Sequence, residues 1–274
     1  MRKLSAMQRD RGGMTTQYFP FGQPVKTLIQ EDRSPKKVFV LGVYASAVHA
    51  RWVNNDGKTI TPALAVASEP CIFWRGREEV KYENAEQIIS RIDTRGAGTL
   101  VPAAEQFNGP SGRALDELFL KPMELNRDDA WLCDIVPYSC RNLGQAKVIR
   151  EKYDPEMLEH GLPEATTTPV PSPLCADERR QRILAELRES KARTVILLGD
   201  EPIKSFLHFF DSRWNRLGQF EPYGSYHKVN IAGTDYDVLP LVHPRQASQL
   251  GAHSAKWYEL HMEWIRSRQS GSIV

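Results

Sequence analysis

The chain has 274 residues, of which 41% are hydrophobic, enough for one large domain or two small ones. Its formal net charge of +2 excludes a histone-like basic protein but is compatible with a local basic patch that binds nucleic acid. No apolar run is long enough to span a membrane, no signal peptide is recognisable, and the four cysteines form no CxxC pair. We therefore expect a soluble, cytoplasmic protein with free thiols and no membrane partner.

Residues 1–30 are polar and basic without periodicity, so we expect a mobile N-terminal arm followed by a single domain over 31–274. The short apolar run 38–41 predicts a strand buried on both faces, as in a parallel sheet. Gly42 ends this run and predicts a loop where the backbone can approach a ligand. Ligands of open α/β sheets bind beyond the carboxyl ends of the strands, so the loop over 44–49 should face the site. An ordinary turn is the alternative.

From about residue 54 to residue 92 the pattern changes and predicts a small β-rich insertion on the sheet. Asn55-Asp56-Gly57 has the composition of a tight turn. The elements expected around it are strands over 64–67 and 71–74 and a short helix over 86–92.

Three later apolar runs repeat the pattern of the first, and they span residues 131–137, 194–199 and 236–242. Amphipathic helices are predicted over 114–119, 177–190 and 254–268, with the arginines of the second on its solvated face. Residues 153–173 hold five prolines and predict a long loop. Four apolar strands separated by helices predict a three-layer α/β fold, a four-stranded parallel sheet with helices on both faces.

Four segments resemble motifs of the uracil-DNA glycosylase superfamily, and of its iron–sulfur branch in particular. They are 106–116 (QFNGPSGRALD), 133–141 (CDIVPYSCR), 171–199, which ends in the strand VILLG, and His243-Pro244. No single segment is specific for the superfamily, but the four segments together, in this order and spacing, are specific for it. The resemblance covers about residues 37–264 and implies the same α/β fold.

The resemblance implies an enzyme that flips a nucleotide out of the duplex and hydrolyses its N-glycosidic bond. By position, Phe107 would stack on the base, Asp134 would read its edge, and His243 would stabilise the charge on the leaving base. Gly42 and Asn108 would complete the base pocket. Phe107 as a plain core residue and Asp134 as the cap of a turn are the structural alternatives.

The implied partner is DNA, bound by a monomer. Arg245 and Gln246, just after the His-Pro motif, would fill the gap left in the base stack. Arg141 and His49 would contact DNA from the loops that follow two of the strands.

The first motif departs from the superfamily, which usually has a carboxylate or amide where this chain has Tyr44. Tyrosine titrates near pH 10, so Tyr44 is a poor general base at neutral pH. We expect Tyr44 and Ser46 to position the water, with His49, Asp200 or Glu201 as alternatives. As a further alternative, the side chain of Tyr44 fills and closes the pocket.

The iron–sulfur branch binds its cluster through four cysteines. Only Cys140 and Cys175 match that pattern, and two thiolates do not hold a cubane cluster. The histidines lack the spacing of zinc ligands. We therefore expect no metal and no cofactor.

The leading hypothesis is a DNA base-excision glycosylase. An ionised Asp134 offers acceptors only, so uracil should not be its preferred base. A catalytically silent, nucleic-acid-binding member of the same fold is the second hypothesis. A Rossmann-like nucleotide enzyme is the weakest, because no GxGxxG follows the first strand.

Overall fold

The computed structural model of the protein describes residues 16–77, 79–250 and 253–271. Its strands are β1 (Val38–Tyr44), β2 (Ala47–Val53), β3 (Thr59–Ser68), β4 (Thr99–Pro102), β5 (Ala130–Val136), β6 (Thr194–Leu198), β7 (His227–Ile231) and β8 (Thr234–Leu241). Its α-helices are α1 (Ala85–Ile89), α2 (Pro110–Ala114), α3 (Leu143–Val148), α4 (Asp154–His160), α5 (Asp177–Ser190), α6 (Asp200–Ser205), α7 (Pro244–Ala247) and α8 (Ser254–Gly271). The π-helical turns Leu115–Leu120 and Ile149–Tyr153 continue α2 and α3.

The larger sheet has the strand order β5-β1-β6-β8-β7. Its first four strands are parallel, which confirms the predicted four-stranded parallel sheet. The fifth strand, β7, pairs antiparallel with β8 and was not predicted. The hairpin between them turns at Ala232 and Gly233, which both have positive φ, as the favoured two-residue hairpin turns require. Alternation in residues 227–231 was the available signal for this strand.

Helix α5 has the predicted bounds and lies against β1 and β5. Its apolar face is buried, but the expectation that all its arginines face solvent is wrong. Arg179 donates from Nε to the carbonyl oxygen of Ile135 at 2.9 Å, at the end of β5. The Arg180 guanidinium is buried 3.8 Å from the ring centroid of Phe209. Both guanidinium groups therefore stabilise the packing of α5 near the carboxyl end of the sheet.

The smaller sheet has the order β3-β2-β4 and is antiparallel. It covers its own apolar core, which includes Trp52, Trp74 and Tyr153. The strands of this sheet span Ala47 to Pro102, which is wider than the insertion predicted over about 54–92. The predicted strand over 64–67 lies within β3, whereas the one over 71–74 is wrong, because the backbone turns there. The predicted loop over 44–49 shrinks to two residues between β1 and β2.

The predicted N-terminal arm is wrong for the part of it that the structure describes, and residues 1–15 lie outside the described residues. Phe19, Phe21 and Leu28 are buried. The ring of Phe21 contacts those of Trp52 and Tyr153 edge-on, with centroids 5.2 Å apart in both cases. These aromatic residues are anchored individually, so no periodicity marks them in the sequence.

The predicted loop over 153–173 contains α4. Pro155 lies in the first turn of this helix, where its missing N–H costs no hydrogen bond. At the other end of the chain, α8 buries Trp264 as predicted and also the fully buried His261. None of the helices in the described ranges is long and apolar enough to cross a membrane.

Candidate functional site

Gly42 on β1 and Asp134 on β5 form the floor of the candidate site. They face each other in the parallel register of the two strands. A Cβ atom on Gly42 would collide with Oδ1 of Asp134 and lie 2.7 Å from Cζ of Phe73. Gly42 does not end the strand as predicted, because β1 continues to Tyr44. Its missing side chain instead lets a carboxyl group and an aromatic ring lie on the backbone.

Asp134 is a buried carboxyl group without a side-chain partner. It is 4% exposed, and within the described part of the chain its carboxyl oxygens form no hydrogen bond or ion pair. Arg179 donates to its backbone carbonyl oxygen, at 2.6 Å, rather than to its carboxyl group. Burial raises the pKa of Asp134 to about 7, and the charge of Arg179 opposes this rise. At neutral pH the side chain is therefore present in both its ionised and its neutral form.

Glu69 is a second buried carboxyl group at this floor, and the sequence analysis missed it. It follows β3, and the pairing of Ser68 with Ala47 brings it to the turn between β1 and β2. Burial and the charge of Asp134 raise the pKa of Glu69 well above its usual value, while Arg127 opposes this. The sequence signal is an acidic residue directly after an apolar strand, which is equally typical of an ordinary turn.

Phe73 was also missed, since it was assigned to a strand. Its backbone lies in the left-handed region with a φ of 52°, which is rare for a bulky residue. Arg127 donates from Nη2 to the carbonyl oxygen of Phe73 at 2.6 Å and to that of Gly112 at 3.1 Å. These bonds hold the ring over Gly42 and beside Asp134. Strained backbone is common at functional sites.

His243 lies beyond the carboxyl end of β8 and caps α7. Its Nδ1 accepts a hydrogen bond from the backbone N–H of Arg245 at 3.2 Å. Because an N–H only donates, Nδ1 holds a lone pair and the neutral ring has its proton on Nε2. Burial and the charge of Arg245 lower the pKa of His243 to about 4, so the ring is neutral at pH 7. His243 can therefore donate one hydrogen bond from Nε2.

A partly buried chain of hydrogen bonds fixes the backbone next to His243. The N–H of Val242 donates to the phenol oxygen of Tyr223 at 3.1 Å, and this oxygen lies 2.7 Å from Nδ1 of His261. Nε2 of His261 lies 2.9 Å from the carbonyl oxygen of Leu118. A carbonyl oxygen only accepts, so Nε2 carries the ring proton and the phenol donates to Nδ1. Burial lowers the pKa of His261 to about 4, which keeps the ring neutral in this role.

His49, Phe107 and Asn108 lie together, and the predicted roles of Phe107 in stacking and of His49 in DNA contact stay predictions. The rings of His49 and Phe107 have centroids 6.1 Å apart, and Nδ1 of His49 has no partner among the described residues. Asn108 accepts from the N–H of His49 at 2.8 Å and donates to its carbonyl oxygen at 3.0 Å. This pairing ties the segment before α2 to β2. We therefore assign Asn108 to the scaffold and no longer to the substrate.

Helix α2 connects these residues to the floor of the site. Its Gly112 approaches the carbonyl oxygen of Phe73 so closely that a Cβ atom would collide with it. The same helix lies against α7, which His243 caps. Burial lowers the pKa of both His49 and His243, and the charge of Arg245 adds to both effects. The carboxyl floor and the two imidazoles therefore lie at the same end of the larger sheet.

Tyr44 and Ser46, predicted as catalytic, are exposed. Tyr44 is 45% exposed and lines a groove of about 640 Å³ beside the loop over 170–175. The side chain of Ser46 faces solvent, while its carbonyl oxygen accepts a hydrogen bond from the Ser139 hydroxyl. Their role in positioning water stays a prediction.

Three of the predicted DNA contacts follow β5 or β8 in the chain: Arg141 lies in a loop, and Arg245 and Gln246 lie on α7. Arg245 is exposed, and its guanidinium forms no hydrogen bond or ion pair within the described residues. Gln246 is half-buried on α7. The N–H of Arg141 donates to the carbonyl oxygen of Thr168 at 2.9 Å. Contact of these residues with DNA stays a prediction.

The four cysteines are free thiols in the structure. Cys140 and Cys175, the two that match the cluster pattern, are half-buried and buried. Burial raises the pKa of Cys140 to about 11, and it also raises the pKa of Cys175. Thiolates, not thiols, bind metals, so these surroundings do not favour a metal site. The expected lack of a metal stays a prediction.

A sequence model of the uracil DNA glycosylase superfamily matches residues 102–263 of the chain. The chain belongs to this superfamily. No curated protein gives a match to it. Within the uracil-DNA glycosylase match lie Phe107, Asp134 and His243, whereas Gly42 and Glu69 precede it. Membership implies a DNA glycosylase-like function with DNA as the partner.

Proposed function

We propose that this superfamily member hydrolyses the N-glycosidic bond of a flipped, modified base in DNA, and that uracil is not its preferred base. The observation that carries the proposal is the unpartnered Asp134 carboxyl group on Gly42. A buried polar group without a partner is costly to the folded state, and a base edge would provide its hydrogen bonds.

In the proposed reaction, different residues bind the flipped base and stabilise the charge that develops on it. Phe107 stacks on the flipped base, and Asp134 accepts hydrogen bonds from its edge. Cleavage of the N-glycosidic bond gives an electron-poor sugar and an anionic base; water then adds to the sugar, and the proton that it releases neutralises the base. The neutral His243 donates from Nε2 to the base where negative charge develops, which lowers the barrier without adding a charge to the ground state. Water enters beside Tyr44 and Ser46, and Arg245 and Gln246 fill the gap in the stack.

The preference against uracil follows from hydrogen-bond chemistry. Uracil presents N3–H between two carbonyl oxygens, so an ionised Asp134 would face one of them with a second acceptor. Such a mismatch in a closed pocket can cost several orders of magnitude in selectivity. Because the pKa of Asp134 is raised to about 7, this mismatch is present at pH 8 and weakens below neutral pH.

The test is single-turnover base release from duplexes that carry uracil, hypoxanthine, xanthine, alkylated bases or 8-oxoguanine. We expect release of a purine and poor release of uracil at pH 8. Asp134→Asn should shift activity toward uracil, since an amide offers both a donor and an acceptor. Efficient uracil release by the parent at pH 8 would contradict the proposed preference.

A catalytically silent DNA-binding protein is the second candidate, favoured by a tyrosine where the first motif usually has a carboxylate or amide. It differs from the enzyme in one outcome. Duplexes with a modified base would bind more tightly than undamaged ones, yet the parent would release no base from any of them.

A further inference from the structure

We propose that Glu69 acts with Asp134 as a specificity-determining residue, and that the pair reads a guanine-type base. The neutral Glu69 carboxyl group donates to O6, while the ionised Asp134 carboxylate accepts from N1–H and the 2-amino group. This inference rests on the base pocket of the proposed function and adds a residue from outside the family match.

The two carboxyl groups reach the floor from different sheets. Asp134 projects from β5 onto Gly42, and Glu69 arrives from the end of β3 through the pairing of Ser68 with Ala47. Both residues are 4% exposed. Neither carboxyl group forms a hydrogen bond or ion pair with any residue in the described ranges. Two buried, unpartnered polar groups on one floor are best explained by a ligand that satisfies both.

The charges around the pair set its protonation. Asp134 from β5, Arg127 from the turn before β5, and Cys71 from its own loop face Glu69. Nε of Arg127 lies 2.7 Å from Oδ1 of Asp116, so part of its positive charge is already neutralised by Asp116. Two carboxyl groups that share a buried site oppose each other's ionisation. Burial together with the charge of Asp134 raises the pKa of Glu69 well above its usual value, and burial raises the pKa of Asp134 to about 7, so we assign the donor role to Glu69 and the acceptor role to Asp134.

The resulting pair offers one donor and two acceptors. A guanine-type edge offers the complement, one acceptor at O6 and two donors at N1 and the 2-amino group. Hypoxanthine lacks the amino group, and uracil places a carbonyl oxygen where Asp134 needs a donor. Guanines that are damaged in the five-membered ring keep this edge, which makes them the substrate class that fits best.

Binding separates this inference from catalysis. We would measure the affinity of the full chain at pH 8 for duplexes that carry a hydrolysis-resistant 2′-fluoro nucleoside at a mismatch. The nucleosides are guanosine, 6-thioguanosine, inosine and uridine. Guanosine should bind most tightly, with about a tenfold loss for each hydrogen bond removed. Sulfur is a weak acceptor, so 6-thioguanosine tests the contact with O6.

Variants of Glu69 test whether its carboxyl group donates the hydrogen bond to O6. Glu69→Ala should bind guanosine and 6-thioguanosine alike. Glu69→Gln should keep the parent's preference, because its amide still donates. Glu164→Gln, at an exposed position, is the matched control and should resemble the parent.

Three results would overturn the inference: an unchanged preference in Glu69→Ala, a Gln variant that behaves like the Ala variant, or a parent that binds uridine as tightly as guanosine. If Glu69→Ala does not fold, the affinities of Glu69→Gln and of the parent for the four nucleosides still test the inference. A parent that prefers guanosine but releases no base would reject the glycosylase activity and leave the base reading intact.

Discussion

The phenol oxygen of Tyr223 lies 2.7 Å from Nδ1 of His261, and it also accepts the N–H of Val242, the residue before His243. The half-buried Tyr223 and the buried His261, which are distant in sequence, thus hold the backbone that carries the proposed donor to the leaving base. Every hydrogen bond in this chain has a fixed direction, so the loss of one member leaves its neighbours unpaired.

Tyr223→Phe should lower both stability and base release. The change removes one hydroxyl and leaves the N–H of Val242 and Nδ1 of His261 without partners, at a cost of about 1–3 kcal/mol for each group. Urea denaturation measures the first effect, and single-turnover kinetics measure the second. Tyr226→Phe is the control, because Tyr226 is 43% exposed. A Tyr223→Phe protein with parental stability would mean that the chain does not hold this loop.

His243→Ala should slow base release by about a hundredfold, the typical cost of one removed donor to developing charge. Binding of undamaged and modified duplexes should change little. The variant also removes a helix cap, worth about 1 kcal/mol. His243→Asn separates the two roles, since asparagine caps a helix well but is too short to replace Nε2. Equal turnover in the parent and both variants would remove His243 from the mechanism.

Gly42→Ala should abolish base binding, because its Cβ atom would occupy the space of Asp134 Oδ1 and press on Phe73. Overpacking of this kind costs about 1–3 kcal/mol of stability. Gly218→Ala is the matched control, since a Cβ atom at Gly218 would meet nothing within 4 Å. Competition binding with a duplex that carries a modified base would measure the effect. Parental affinity in Gly42→Ala would place the base elsewhere.

The parallel sheet could be predicted because its strands are apolar on both faces and end in polar residues. Strand β5, for example, is buried at every position from Ala130 to Val136. Strand β7 was missed because it is only five residues long and depends on its hairpin partner. The anchoring of Phe21 in the smaller core was missed for a related reason: a single aromatic residue has no period.

The site could be predicted only where a family motif marks it. Asp134 and His243 lie in such motifs, and the structure places both at the carboxyl end of the sheet. Glu69 carries no motif, and only the pairing of β3 with β2 brings it to the floor. Tertiary pairing of this kind leaves no signal in a single sequence. Asn108 illustrates the reverse case, since its motif position could not reveal that its amide binds the backbone of His49.

Asp134→Asn should change how stability depends on pH. The carboxyl group titrates near pH 3.9 in an unfolded chain, and burial raises its pKa to about 7 in the folded protein. Between these values the folded state keeps a proton that the unfolded state has released. The parent therefore loses stability as the pH rises, by at most about 1.4 kcal/mol per pH unit and about 4 kcal/mol in all.

Asparagine does not titrate, so the free energy of unfolding of Asp134→Asn relative to the parent should be constant below about pH 4, increase up to about pH 7, and stay constant above it. Urea denaturation at pH 4, 5, 6, 7 and 8, taken here as approximate working points, would trace this difference. Glu164→Gln, at an exposed position, should run parallel to the parent over the same range. If Asp134→Asn also ran parallel to the parent, the carboxyl group would not be buried in the neutral form, and the argument for a raised pKa at the floor would fail.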